Sequence, residues 1–96
     1  MGEWTFERLS FRGRELELVE PLTVLIGRHG SQWYAENREL GIFVFASSIG
    51  RLLERVAEAF FALWDRYIPV DDEVMEKDAA IRDALLRMVT GQQKTF

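Results

Sequence analysis

The chain reads as a single α+β domain, an antiparallel sheet of about five strands followed by one long helix and a second amphipathic helix. Three observations predict this. Over residues 3–46 apolar side chains recur in short runs, largely in alternation with polar ones, punctuated by Gly and Pro. Over residues 48–68 the spacing changes to a helical one, and a second helical pattern runs over residues 72–89. At 96 residues, with 48% hydrophobic and 29% charged side chains, the chain is globular and has room for one domain.

Residues 3–19 predict a hairpin. Trp4 and Phe6 alternate with Thr5 and Glu7, then Leu9 and Phe11 alternate with Ser10 and Arg12. The phase slips by one between the two pairs, which predicts a bulge near Arg8. Gly13 sits where the chain must reverse, and Gly tolerates the positive φ of tight hairpins. The return segment Arg14 to Val19 alternates strictly, so one face is wet.

Pro21 offers no N–H to a ladder and is expected to end or kink that strand. Leu22-Thr23-Val24-Leu25-Ile26 is rich in strand formers and predicts a central strand. Gly27-Arg28-His29-Gly30-Ser31 predicts a turn, and Gln32 to Glu36 the returning strand. Asn37-Arg38-Glu39 is a polar link, and Gly41 precedes Ile42-Phe43-Val44-Phe45-Ala46, a short apolar run expected to form a buried strand.

Ser47 and Ser48 offer hydroxyls to the first free amides of a helix. Ile49, Leu52, Leu53, Val56, Ala57, Phe60, Phe61, Leu63, Trp64 and Tyr67 then cover more than one narrow stripe. So wide an arc predicts a helix packed on two things, the sheet and a neighbouring helix or second subunit. Pro69 stops it. Asp71 and Asp72 suit the N-terminal end of a second helix, whose apolar side carries Val74, Ile81, Leu85 and Met88, with Gly91 as a breaker. Residues 92–96 are expected to fray.

Net charge is −4. Residues 1–51 hold six basic and seven acidic side chains, and residues 52–96 six basic and nine acidic. No basic stripe tracks a phosphate backbone, so direct nucleic-acid binding is not expected, although a dimer could gather Arg8, Arg12, Arg14 and Arg28 on one face. The absence of Cys excludes disulfides and thiolate metal sites and fits a reducing cytoplasm. No signal peptide is expected, because the N-terminus lacks a basic segment followed by an apolar run, and no membrane span, because no apolar run approaches about 18 residues.

Candidates for chemistry are few. His29 is the single histidine and lies in a turn, where a solvated role is the ordinary one; a nucleophile would need a base within hydrogen-bond reach and a third orienting group. Gly27-x-x-Gly30 lacks the Gly-Lys-Ser/Thr of a phosphate loop and joins two strands. Asp71-Asp72-Glu73 with Glu76 could attract a cation, but the ligand alternation is missing and helix capping accounts for it. Phe60, Phe61, Trp64 and Tyr67 could stack bases, but without accompanying cations packing is the favoured reading. No catalytic residue, metal ligand or cofactor is expected.

The order strand, turn, strand, link, strand, helix over Leu22–Ser48 resembles the HicB-type antitoxins. The residues that carry the likeness are Leu22–Ile26, Gln32–Glu36, Leu40–Phe45, and Ser48-Ile49 with Leu53-Glu54, Ala57 and Ala59. Leu63-Trp64-Asp65-Arg66-Tyr67, then Asp71-Asp72-Glu73 and Ala79 to Leu86, are similar to small prokaryotic, often archaeal, relatives of that family. The chain departs from the pattern at Ala46, Gly50 and Arg51, and Arg51 breaks the capping box begun by Ser48. No ribbon-helix-helix or helix-turn-helix unit is evident. The resemblance implies a HicB- or dsRBD-like core and a non-enzymatic, cytoplasmic protein-binding module. It also implies a homodimer with a possible protein partner such as a toxin.

The surface expected to meet a partner or a second copy is Phe61, Trp64 and Tyr67 on the long helix with Ile81 and Leu85 on the second. Two other readings stay open: a small HicA-like ribonuclease using His29, and an oligomeric structural protein without catalytic activity.

Overall fold

A computed structural model describes residues 2–68 and 76–90. Four strands come first: β1 (Gly2–Phe11), β2 (Arg14–His29), β3 (Gln32–Asn37) and β4 (Ile42–Ala46). Two helices follow, α1 (Ile49–Tyr67) and α2 (Glu76–Thr90). The sheet is an antiparallel meander in the order β1-β2-β3-β4, as short hairpin links require.

The expected five strands are four, because Pro21 does not end its strand. β2 runs through it for 16 residues. The reason lies in the register. β1 and β2 pair from Gly2↔Ile26 to Phe6↔Leu22, slip, and resume at Arg8↔Glu17. Pro21 falls inside that slip, and β3 begins pairing with β2 only at Leu25. The missing N–H of Pro21 therefore has no ladder bond to forfeit. The bulge expected near Arg8 is this same irregularity. The hairpin turn falls on Arg12 and Gly13, both at positive φ (50° and 79°), the conformation whose twist suits a two-residue connection.

The turn expected across residues 27–31 is narrower. Strand pairing continues to His29↔Gln32, and only Gly30 and Ser31 form the reversal, with Gly30 at φ 64°. In the link before β4 the Asn37 side chain accepts from Leu40 N at 2.8 Å and donates to Thr23 O at 2.9 Å. That fixes the chain's entry into the edge strand.

One face of the sheet carries Leu22, Val24, Ile26, Ala35, Ile42 and Ala46, all buried. Leu52, Val56, Ala57, Phe60 and Phe61 of α1 and Ala84, Leu85 and Met88 of α2 complete the same core. The wide apolar arc of α1 thus meets both the sheet and α2 within one chain. Ser48 caps α1, its Oγ accepting from Arg51 N at 3.3 Å, so the cap forms without the reciprocal glutamate.

Two arginines tie helices to strands. Arg14, just after the first turn, reaches Asp65 on α1 through two hydrogen bonds of 2.7 and 2.8 Å, and its guanidinium lies 4.6 Å from the centre of the Phe61 ring. Arg87 on α2 donates to Glu20 at 2.9 Å and to Glu39 at 2.8 Å. The stop at Pro69, the carboxylates Asp71, Asp72 and Glu73, Val74, the expected helix start at residue 72, the breaker Gly91 and the fraying tail lie outside the described residues. No helix among the described residues is long and apolar enough to cross a membrane.

Candidate functional site

Side chains alternate across a strand, so the sheet has a second face. Register places Leu25, Gly27, Tyr34, Phe43 and Phe45 on it, opposite the helices. Leu25 is 50% exposed, Phe43 52% and Phe45 42%. The run Ile42–Ala46, expected to be a buried strand, is therefore buried on one side only: Ile42 and Ala46 point into the core while both phenylalanines face out. The two helices cover a single face, and no further element remains among the described residues to cover the other.

The outward aromatics form an ordered group. Tyr34 and Phe43 stack with centroids 5.8 Å apart and planes 2° from parallel. Phe45 meets Phe43 at 5.1 Å and Tyr34 at 6.3 Å, tilted to both. Offset and tilted arrangements are those that aromatic quadrupoles favour. Gly27 makes room for the group. It stands opposite Tyr34, and a Cβ there would lie 2.4 Å from Cζ of the Tyr34 ring. The phenol lies across the glycine and buries it, which holds the ring flat against the sheet.

Around this apolar centre the same face carries Glu3, Thr5, Thr23, His29, Gln32 and Glu36. That rim has two carboxylates, of which Glu36 lies 3.6 Å from the exposed Arg38 guanidinium; further along β1, Arg8 is paired with Glu15 and Glu17. Glu3 and Glu36 flank Leu25 from the strands on either side. Such a surface suits a partner with an apolar centre and cationic edges.

The five residues expected to form an interface lie on the helix side of the sheet. Phe61 is 3% exposed and Leu85 0%, both inside the chain's own core. Trp64, Tyr67 and Ile81 are half-buried and pack against that core. α2 brings Ile81 and Leu85 to the sheet and α1 of the same chain, so these side chains are engaged in cis. Leu25, Tyr34, Phe43 and Phe45 were not singled out by sequence. The available signal was that strands apolar on both faces are joined to too few helices to cover both.

His29 stands exposed at the tip of the β2–β3 hairpin, across from Gln32. No hydrogen bond links it to another titratable side chain among the described residues, and no group of three or more possible metal ligands occurs among them. The titration shifts that stand out belong to the strand–helix ties. A hydrogen bond from Arg14 holds the Asp65 carboxyl below its ordinary value, against an opposing desolvation effect, and raises Arg14 in turn. Arg87 is raised by its bond to Glu39 first and by Glu20 after it. These groups join helices to strands. No family model, curated protein or solved structure matches the chain.

Proposed function

We propose that this chain is a non-catalytic protein-binding module of HicB antitoxin-like type that receives its partner on the open face of the sheet. The observation that carries the reading is the exposed aromatic cluster of Tyr34, Phe43 and Phe45 with Leu25, on a face that neither α1 nor α2 covers. A contiguous apolar patch rimmed by polar groups marks an interaction surface more often than scattered exposure does. Aromatic residues at its centre are the type that anchors protein interfaces.

The acidic rim selects the partner's chemistry. A phosphate backbone crossing this face would meet Glu3 and Glu36 and a single nearby cation, Arg38, already paired with Glu36. A protein with an apolar knob and Lys or Arg around it is complementary. A toxin with a basic RNA-binding surface has that character, and the likeness of Leu22–Ser48 to HicB-type antitoxins points the same way.

The test uses Leu25→Lys, which places a charge in the middle of the face and away from the sheet edge. Wild type and variant, both shown folded by circular dichroism, are used in pull-downs from the native host and in rescue of growth against a neighbouring toxin-like reading frame. Wild type is expected to retain a partner that the variant releases, and to rescue growth where the variant does not. Equal behaviour of the two proteins would sink the reading. Binding of single-stranded RNA that depends on Tyr34 and Phe43 would replace it with base stacking.

A further inference from the structure

We propose that β4 pairs edge to edge with β4 of a second copy of this chain, joining two four-stranded sheets into one of eight around a two-fold axis at Val44. The inference rests on the reading of the open face as a binding surface in one respect only, that pairing would double that face.

The two edges of the sheet differ. β1 is protected in the ways natural edges usually are: a bulge interrupts it between Phe6 and Arg8, and Glu3, Glu7 and Arg8 lie along it. β4 has none of these. Ile42-Phe43-Val44-Phe45-Ala46 carries no charge, no Pro and no irregularity in its register with β3. Its outer side presents backbone N–H and C=O groups that no strand among the described residues satisfies.

The strand is also nearly palindromic. An antiparallel pair centred on Val44 sets Phe43 opposite the partner's Phe45, and Phe45 opposite the partner's Phe43. Both aromatic pairs fall on the open face. On the helix side, Val44 meets its own copy and Ile42 meets the partner's Ala46. Both faces are therefore matched in one register, and a two-fold axis normal to the sheet keeps all helices on one side.

The flank of α1 beside this edge is self-complementary as well. Arg55, Glu58, Ala59 and Ala62 line a groove with Phe43, Val44 and Phe45. The two alanines let a second α1 approach without a clash. Arg55 and Glu58, one turn apart on α1, bring opposite charges to the axis, so each Arg55 can face the partner's Glu58. A lone foreign strand would satisfy the backbone but not this second layer, which favours another copy as occupant. A strand pair with one helix flank lies at the small end of specific interfaces, below about 1,600 Å² in total, so the dimer is expected to dissociate on dilution.

Sedimentation velocity across a dilution series tests this with the full chain. Wild type is expected to shift from twice the monomer mass to the monomer mass. Phe43→Lys/Phe45→Lys puts like charges opposite each other in both cross-strand pairs and is expected to weaken association by about tenfold or more. Phe43→Lys/Phe45→Glu sets each introduced ammonium opposite an introduced carboxylate only in the Val44-centred register, and is expected to recover association. Circular dichroism melts confirm that each variant folds. A wild type that stays monomeric at the highest concentration overturns the proposal, as does a dimer that survives the lysine pair. Equal loss in both double variants overturns the register. Leu25→Lys is expected to leave the dimer intact while abolishing partner binding, so failure here and failure of the protein-binding reading are separable.

Discussion

Replacing Gly27 with Ala tests the close approach that holds the aromatic cluster flat. The added Cβ would lie 2.4 Å from Cζ and Oη of Tyr34. Carbon contacts are comfortable at about 3.5–4.0 Å, so the ring must retreat by about 1 Å. The backbone itself accepts Ala, since Gly27 is not among the residues at positive φ. In a strand, Ala in place of Gly gains about 0.5–1 kcal/mol of conformational entropy. Against that stand the Tyr34–Phe43 stack, at 5.8 Å and 2°, worth about 0.5–1.5 kcal/mol, and a displaced rotamer costing about 0.5–1.5 kcal/mol. The balance makes Gly27→Ala destabilising by about 1 kcal/mol. In a Tyr34→Ala background the obstacle is gone and the same change becomes stabilising by about 0.5–1 kcal/mol. The two effects differ by about 1–3 kcal/mol, which a double-mutant cycle resolves. Urea titrations of the four proteins, followed by far-UV circular dichroism, supply the values. Equal effects of Gly27→Ala in both backgrounds would refute the placement of the ring over the glycine.

Two further outcomes follow from the strand–helix ties. The Asp65 carboxyl is held below its ordinary value of 3.8 by Arg14, so its contribution is present above that pH and is lost as pH falls through the lowered value. The melting temperatures of wild type and Asp65→Asn should therefore differ at neutral pH and converge in acid; a gap that persists unchanged at low pH would exclude the ion pair as its source. Arg87→Met keeps much of the side-chain stem but removes both bonds to Glu20 and Glu39. It is expected to cost about 1–2 kcal/mol and to speed hydrogen exchange in α2 more than in the β1–β2 hairpin, and uniform exchange would argue against a local tie.

Much of the fold was legible from local chemistry. The phase slip between Phe6 and Leu9 marked the bulge, because a period of two cannot absorb an odd residue without one. Gly13 marked the first reversal and Ser48 the start of α1, each through a backbone demand met by few residue types. Pro21 misled, because its effect depends on whether a neighbour needs its N–H, and the neighbour's register is not a local property. Phe61 misled for a related reason. An arc too wide for one sheet face is equally compatible with a second helix or a second subunit, and only the docking of α2 in cis separates them.

The candidate site was the least legible part. Ile42-Phe43-Val44-Phe45 is apolar at successive positions, so it carries no periodicity to say which side faces water. Apart from the break expected at Pro21, the sequence by itself determined where the described strands and α1 form, because turns, caps and periodicity act within a few residues. Tertiary structure alone decided that both helices share one face of the sheet, leaving Leu25, Tyr34, Phe43 and Phe45 exposed on the other. That choice depends on contacts between residues far apart in the chain, whose competing packings have nearly identical local patterns.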